Sequence, residues 1–355
     1  MPGGVTGRTM KMAFAKFGTN SWGVAASVTK GVYFESDGGI QNKVAQITDN
    51  AFGQTFTAPG DPGLVAAQDL TFKGMDRYED YQYIWEALAM GSPAAVTIST
   101  SASGQVTSWL HQFDLADNTN GLGVTIAIDK TLYVDELTSA KVLGFEEEEG
   151  DNGAMQQSFK VTGAKATNIS SININSTVGG AAYPALTNRI AQQQGTWRMN
   201  LNTAGALGAG DIVKAQHVKF TFGLPVDAPH VYGQDYIDEP ADNGFPEFTV
   251  EVTYPRMNTV SANSLYAGLR SSTGFKADWT FLGPYINSTD QYKKLYQFPY
   301  LQLMEDGFLA ASAGAEQVKP VAKFAARLAA TSPTGMAFVR PFRLTRLMVN
   351  SVAAF

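Results

Sequence analysis

The chain has 355 residues, which is enough for two domains of ordinary size, and 44% of them are hydrophobic. Charged residues make up only 16%, below the roughly 25% usual in soluble domains, so the surface is either polar without charge or covered by other copies of the chain. The sequence contains no cysteine, which excludes disulfides, thiolate metal sites and a cysteine nucleophile.

The net charge of −6 is unevenly distributed along the chain. The segment from Phe308 to the end carries six basic residues and one acidic residue, a charge of +5, which leaves −11 for the rest. An acidic body with a basic end is able to attract a neighbouring copy. No secretory signal is recognised, and no apolar run approaches the ~18 residues of a membrane helix, so membrane insertion is not expected.

The first half of the chain is predicted to consist of strands around one helix. A stretch rich in Gly, Pro and Asp, residues 38–63, precedes a strand that ends at residues 70–75. The helix is predicted over residues 76–90, with Asp76 as its N-cap, Glu79 completing a capping box and Gly91 as its C-cap. Its buried stripe is predicted to consist of Tyr78, Tyr81, Ile84, Trp85 and Leu88. Further strands are predicted at 109–113, 124–128, 133–145 and 158–161.

The second half repeats much of this pattern. Alternation of apolar and polar residues predicts half-buried strands at 218–222, 248–254 and 275–281, and a Gly/Pro-rich stretch again precedes the second of these strands. Helices are predicted over 258–269 and 319–330. Both halves contain the series strand, corner, Met, cap, helix, about 182 positions apart, which indicates one unit used twice. The fold class is therefore mainly β, with domains at 1–175 and 176–355.

Side chains that could carry chemistry are few. The three histidines, His111, His217 and His230, have no Ser or Asp at a recognisable motif spacing. The acidic run from Glu146 to Glu149 is interpreted as a solvated hairpin tip, and Asp76, Glu79 and Asp80 are assigned to the helix cap. The sequence therefore predicts no catalytic residue, no cofactor, no metal site and no enzyme activity.

The order of these elements resembles the tail tube (major tail) proteins of long-tailed bacteriophages. The residues that carry the resemblance are the long loop before the strand at 70–75, the helix with its Tyr/Trp stripe, and the strands through 158–161. The first unit, about residues 20–165, fits this order well, and the second, about residues 180–330, fits more loosely. The helix predicted over 319–330 departs from the family order, because the first unit has a strand at the corresponding place.

The resemblance implies a fold of two tandem β-sandwich or barrel units, each with a flanking helix. It further implies a structural virion protein, assembled in the host cytoplasm, whose rings stack into a tube in the virion tail. The expected partners are other copies of the chain in trimeric rings with pseudo-sixfold symmetry, other tail proteins, and DNA in transient passage. An acidic inner surface would let DNA slide through the tube.

Two segments are predicted to make the contacts between subunits. The loop 38–63 is long and has little periodicity, and a loop of this length is uncommon in a compact domain unless it has a function. The C-terminal segment 319–355 carries the positive charge. The candidate contact residues are Ile40, Val44, Ile47, Phe52, Phe56, Arg340, Arg343 and Arg346.

Two other classes of protein remain open at this point. An outer-membrane porin would explain the length, the acidity and the alternating aromatic residues, but not the helix at 76–90 or the basic end. A carbohydrate-binding or hydrolytic β-sandwich would need exposed aromatic residues or a pair of carboxylates about 5–9 Å apart.

Overall fold

The structure is a computed structural model. It describes residues 10–17, 22–35, 39–40, 44–47, 60–92, 95–150, 153–255, 274–306 and 321–351. Across these residues the chain is mainly β, as predicted.

The first half contains eleven strands and two helices. Their bounds are β1 Lys11–Phe17, β2 Lys30–Val32, β3 Val44–Ile47, β4 Asp61–Val65, β5 Gln68–Met75, α1 Gln82–Met90, β6 Ala95–Thr100, β7 Ser108–Asp114, β8 Gly123–Asp129, β9 Val134–Glu149, β10 Met155–Gly163, β11 Ala166–Thr167 and α2 Asn175–Gly179. The second half contributes β12 Gly195–Leu201, β13 His217–Gly223, β14 Val226–Asp227, β15 Ala241–Asp242, β16 Glu247–Thr253, β17 Phe275–Tyr285, β18 Gln291–Asp306, β19 Val321–Ala326 and β20 Arg343–Met348.

One antiparallel sheet runs through both halves. Its longest path is β2-β1-β8-β9-β13-β16-β19-β18-β20-β7-β6, with β10, β11, β5, β17 and β12 attached at its sides. Two smaller sheets consist of the hairpins β3–β4 and β14–β15.

The strands of the two halves pair in the same order. In the first half the pairs are β1–β8, β8–β9, β9–β10, β10–β5 and β9–β11. In the second half they are β12–β17, β17–β18, β18–β19, β19–β16 and β18–β20. The predicted duplication stays a prediction, and the order of pairing places β17 where the first half has β8.

Two strand pairings join the halves. Strand β13 pairs with β9 from Gly223 opposite Gly144 to Phe220 opposite Glu147, and β20 pairs with β7. Gly144 lies at the first joint with φ 149°, and a Cβ at this position would lie 2.1 Å from the carbonyl oxygen of Phe222. The joint therefore requires glycine here. One continuous hydrophobic cluster includes residues of both halves, among them Phe145, Phe220 and Phe342.

Helix α1 is shorter than predicted and is buried along its whole length. It begins at Gln82, so Asp76 is not its N-cap, and the carboxylate of Asp80 accepts the backbone N–H of Gln82 instead. Its end at Gly91 is confirmed, with the left-handed φ of 66° that a glycine cap supplies. Trp85 and Leu88 are buried as predicted, whereas Tyr81 precedes the helix and is half-buried.

The helix predicted over 319–330 is wrong, because residues 321–326 form strand β19 between β16 and β18. The segment alternates buried Ala322, Phe324 and Ala326 with more exposed residues, so its apolar residues fit a strand as well as a helix. The helix predicted over 258–269 lies outside the described residues.

Strand β8 is buried on both faces, although its alternation predicted one exposed face. Thr125 and Ala127 are as inaccessible as Ile126. A second small cluster covers this face and consists of Ala13, Val28, Ala127, Val134 and Val178.

Candidate assembly surfaces

The predicted contact loop contains a hairpin. Strands β3 and β4 pair with each other and with no other strand among the described residues. The hairpin is attached to the second half of the chain at its base, where the backbone N–H of Val65 donates to the carbonyl of Asp235 at 2.6 Å. His230 Nε2 also lies 2.9 Å from the carbonyl oxygen of Val65. The β3–β4 hairpin is therefore held at one end.

The hairpin exposes apolar side chains to solvent. Ile47 is 64% exposed and Leu64 is 48% exposed, while Val44 is half-buried. Of the predicted contact residues, Ile47 and Val44 thus remain available to a partner. Ile40 is buried in the chain's own core, so the prediction that it contacts another subunit is wrong. Phe52 and Phe56 lie outside the described residues.

The described part of the basic C-terminal segment, residues 321–351, belongs to the fold itself. Strand β20 lies between β18 and β7, and its arginines pair with acids of this chain. Arg343 Nε lies 2.5 Å from Asp114 Oδ1, and Arg340 Nη1 lies 2.7 Å from Asp117 Oδ1. Arg340 and Arg343 stay partly accessible, so their contact with another subunit remains a prediction.

Arg346 is fully buried, which corrects its assignment as a contact between subunits. Its guanidinium donates to Glu86 Oε1 at 2.6 Å, to Glu86 Oε2 at 2.8 Å and to Asp76 Oδ1 at 2.9 Å. A third donor reaches the carbonyl oxygen of Arg77 at 2.8 Å. These are charge-assisted bonds in a fork geometry that suits arginine.

Lys294 completes this buried ion cluster, which we define as Asp76, Glu86, Glu147, Lys294 and Arg346. Its Nζ lies 2.5 Å from Asp76 Oδ2, 2.5 Å from Glu147 Oε2 and 3.0 Å from Glu86 Oε1. All five side chains are at most 1% exposed, and they come from both halves of the chain. Tyr296 donates its hydroxyl to Glu147, and Gln157 Nε2 donates to Glu86 Oε1 at 2.7 Å.

The carboxyl groups at this site have divergent pKa values. Burial acts to raise the pKa of Asp76, but Arg346 and Lys294 outweigh it and hold the pKa at about 2. Burial raises the pKa of Glu147 to about 7, and the attraction of Lys294 offsets only part of this effect. Burial also raises the pKa of nearby Asp80 to about 7. Two carboxyl groups in the protein interior therefore hold protons close to neutral pH.

Sequence analysis missed this cluster because its members lie far apart in the chain. Asp76 was assigned to a helix cap and Glu147 to a solvated hairpin tip. The acidic run in fact belongs to β9, where Glu147 points inward while Glu146 pairs with Lys219 at 2.8 Å and Glu148 with Lys73 at 3.3 Å. The one signal in the sequence is that Glu147 lies two residues after the apolar Phe145, and therefore on the same face of the strand.

A group of exposed apolar side chains lies at one end of the first half. The turn between β8 and β9 is held to the segment after β11 by two bonds: Ser170 N–H donates to Val134 O at 3.2 Å, and Asn175 Nδ2 donates to Thr131 O at 3.3 Å. The exposed residues are Leu132, Tyr133, Ile169, Ile172 and Ile174. Clustered apolar residues of this kind are typical of contact surfaces.

A cavity of about 440 Å³ lies beside strand β12 and is lined mostly by residues of the second half. Trp197, Trp279, Phe281, His217 and Glu149 are among its lining residues. Glycoside hydrolysis uses two carboxyl groups, and Glu149 is the one carboxylate in the lining, so this cavity offers no pair for the hydrolytic alternative.

Two of the three histidines contact backbone carbonyl groups. His111 is buried, with its Nε2 2.6 Å from the carbonyl oxygen of Asn350, and His230 contacts the base of the β3–β4 hairpin as described above. Within the described ranges, no three His, Asp or Glu side chains are grouped so that they could hold a metal ion.

No protein-family model matches the sequence, and no curated protein is significantly similar to it. Function must therefore be inferred from the fold and its surfaces. In the described part of the chain, no helix is both long enough and apolar enough to cross a membrane.

Proposed function

We propose that the chain is the structural subunit of a tail-tube-like assembly, in which copies join edge to edge into rings and the rings stack into a tube that DNA traverses. Its place would be the tail of a virion, assembled in the host cytoplasm. The chain has no catalytic role in this proposal. It acts through contacts with other copies and with other tail proteins.

The observation that carries the proposal is the joint between β9 and β13. Two halves with the same order of strand pairing are connected there by continuation of the sheet. One chain thus resembles two neighbouring subunits of a ring, and three chains would give a ring of pseudo-sixfold symmetry. A repeated head-to-tail contact produces a closed ring when its rotation closes.

Two surface features fit the same function. Exposed sheet edges favour pairing with other chains unless a partner covers them, and the strand β6 at one end of the sheet path pairs only with β7 among the described strands. The β3–β4 hairpin presents Ile47 and Leu64 to solvent, where they are suited to contact another ring.

Electron microscopy of the purified protein tests the proposal directly. Rings or tubes with a continuous lumen are expected, together with large species in light scattering. A protein that remains monomeric at high concentration would contradict the proposal. Trimers that form only in detergent would favour the porin class, and binding of the monomer to glycans would favour the carbohydrate-binding class.

A further inference from the structure

Irregularities in the two long strands, β9 and β18, show which of their residues are equivalent. In β9 the pairing with β10 shifts between Val142 and Gly144, so that Leu143 is the extra residue. In β18 the pairing with β19 shifts between Leu303 and Glu305, so that Met304 is the extra residue. The residues that flank the shift on the partner strands correspond in the same way: Lys160 and Val161 on β10 are equivalent to Lys323 and Phe324 on β19. Leu143 and Met304 are therefore equivalent positions.

At Leu143 the outer edge of β9 is covered by the second half. The backbone N–H of Leu224 donates to the carbonyl oxygen of Leu143 at 2.6 Å. The next four residues of β9, Gly144–Glu147, pair with β13. The side chain of Leu143 is half-buried as a result.

At Met304 no described strand covers the equivalent edge. The pairing of β17 with β18 ends at Leu301, and β18 continues to Asp306 with β19 on its other side. No described strand pairs with the edge from Gln302 to Asp306 on the side that β13 occupies in β9. Met304 is 49% exposed.

One backbone contact in the first half corresponds to the contact at the start of β13. Gln216, the residue before β13, donates its backbone N–H to the carbonyl of Thr253 in β16 at 2.7 Å. Glu35 donates to the carbonyl of Lys73 in β5 at 2.6 Å. Lys73 and Thr253 are equivalent, because they pair with Ser158 of β10 and Val321 of β19. Glu35 thus holds the place of Gln216.

We propose that the edge of β18 from Gln302 to Asp306 binds the first half of a second copy of this chain, in the same way that the β9 edge binds β13 within the chain. The inference rests on the proposed function, and it assigns the contact within a ring to one edge. The partner is a second copy because the edge is equivalent to one that this chain's own repeat covers. The contact within the chain is then the template for the contact between chains.

Single-cysteine variants test this assignment, since the parent chain contains no cysteine. Met304→Cys reports on the proposed edge, and Leu282→Cys on β17 is the matched control because Leu282 is 46% exposed. Thiol labelling is measured on assembled particles and on dissociated subunits. We expect assembly to abolish labelling of Met304→Cys and to leave labelling of Leu282→Cys unchanged.

Met304→Asp provides a second measurement, with Leu282→Asp as its control. Met304→Asp is expected to lose ring formation in sedimentation velocity while it keeps the melting temperature of the parent, because a charge would lie in the sheet joint. If the parent assembles and Met304→Cys labels equally in both states, this edge is not the contact but the proposed function stands. A parent that never assembles would overturn both.

Discussion

At the scale of single residues, the buried ion cluster is defined by its charge count. Three carboxyl groups face two cations in a site without solvent, so full ionisation would leave one uncompensated negative charge. A buried charge of this kind is costly, and binding of a proton removes the cost. Glu147 is the group that takes up the proton, because burial raises its pKa to about 7 whereas the pKa values of Asp76 and Glu86 are lowered by the neighbouring cations.

The first prediction concerns the pH dependence of stability. The pKa of Glu147 is raised in the folded state, so its protonation stabilises the fold. This contribution to the free energy of unfolding is fully present below about pH 4.5 and is lost as the pH rises through about 7. The loss should be on the order of 3 kcal/mol of unfolding free energy. Glu147→Gln keeps a neutral side chain, so denaturant unfolding at about pH 5 and about pH 8 should show a smaller decline than in the parent.

Glu146→Gln is the control, because Glu146 is half-buried and paired with Lys219. Asp80 should sustain part of the decline in both variants, as its pKa is also raised to about 7. An unchanged slope in Glu147→Gln would show that Glu147 is not the group that holds the proton.

The second prediction separates two arginines of the basic segment. Arg346→Gln leaves Asp76 and Glu86 buried with one cation between them, and it should lower the free energy of unfolding by about 3–5 kcal/mol. Arg340→Gln breaks an ion pair with an exposed acid, and it should leave stability almost unchanged. Chemical denaturation of the two variants at the same pH measures the difference. Equal stabilities would mean that the cluster is not a buried network.

At the scale of elements, helix α1 is a buried helix and not a helix that lies on the surface of a sheet. Trp85 is inaccessible, and its ring lies 5.4–5.8 Å from the rings of Phe14, Phe34, Phe72 and Phe159. Edge-to-face contacts at these separations add to the burial of apolar area.

The third prediction is that Trp85→Ala lowers the free energy of unfolding by about 3–5 kcal/mol, since it leaves a cavity among these rings. Phe245→Ala is the control, because Phe245 is almost fully exposed. Thermal and denaturant unfolding of both variants measure the effect. A Trp85→Ala protein that melts with the parent would contradict the described packing.

The β3–β4 hairpin is an element whose exposed side chains have no partner strand within the described part of the chain. The fourth prediction is that the double variant Ile47→Asp, Leu64→Asp keeps the melting temperature of the parent but assembles poorly. The reason is that both residues are exposed in the single chain and would be desolvated against a neighbour. Leu328→Asp, at a similarly exposed position, should assemble normally. Normal tubes from the double variant would show that the β3–β4 hairpin makes no assembly contact.

At the scale of the whole molecule, the two halves depend on each other. The edge of β9 is covered by β13, β7 is paired with β20, and the acids of the ion cluster find their cations in the second half. The loop between β14 and β15 also reaches back to the first half, where Lys141 Nζ donates to Pro240 O at 2.6 Å. The two halves of the chain therefore share one core.

The fifth prediction follows from this shared core. A fragment of residues 1–175 should not fold cooperatively, because it loses two strand pairings and leaves Asp76, Glu86 and Glu147 without cations. Circular dichroism during heating measures the transition, and co-expression with residues 176–355 should restore it. If the fragment alone melts cooperatively near the temperature of the full chain, the first half is an independent domain.

The sequence by itself determined the features that depend on local periodicity and backbone chemistry. The alternation in β13 and β16 predicted both strands and their buried faces, and Gly91 predicted the end of α1. The similarity between the halves indicated a repeat, which stays a prediction. These features follow from neighbouring residues, and a single chain segment contains all the information.

Only the tertiary structure decided which segments meet. The segment at 321–326 fits either period, and it is a strand because β16 and β18 bind its two edges. Glu147 and Arg346 looked like surface charges, and they are buried because acids and cations more than a hundred positions apart converge on one site. Burial and ionisation depend on these distant partners, since a charge is stable in the interior only where its counterion lies.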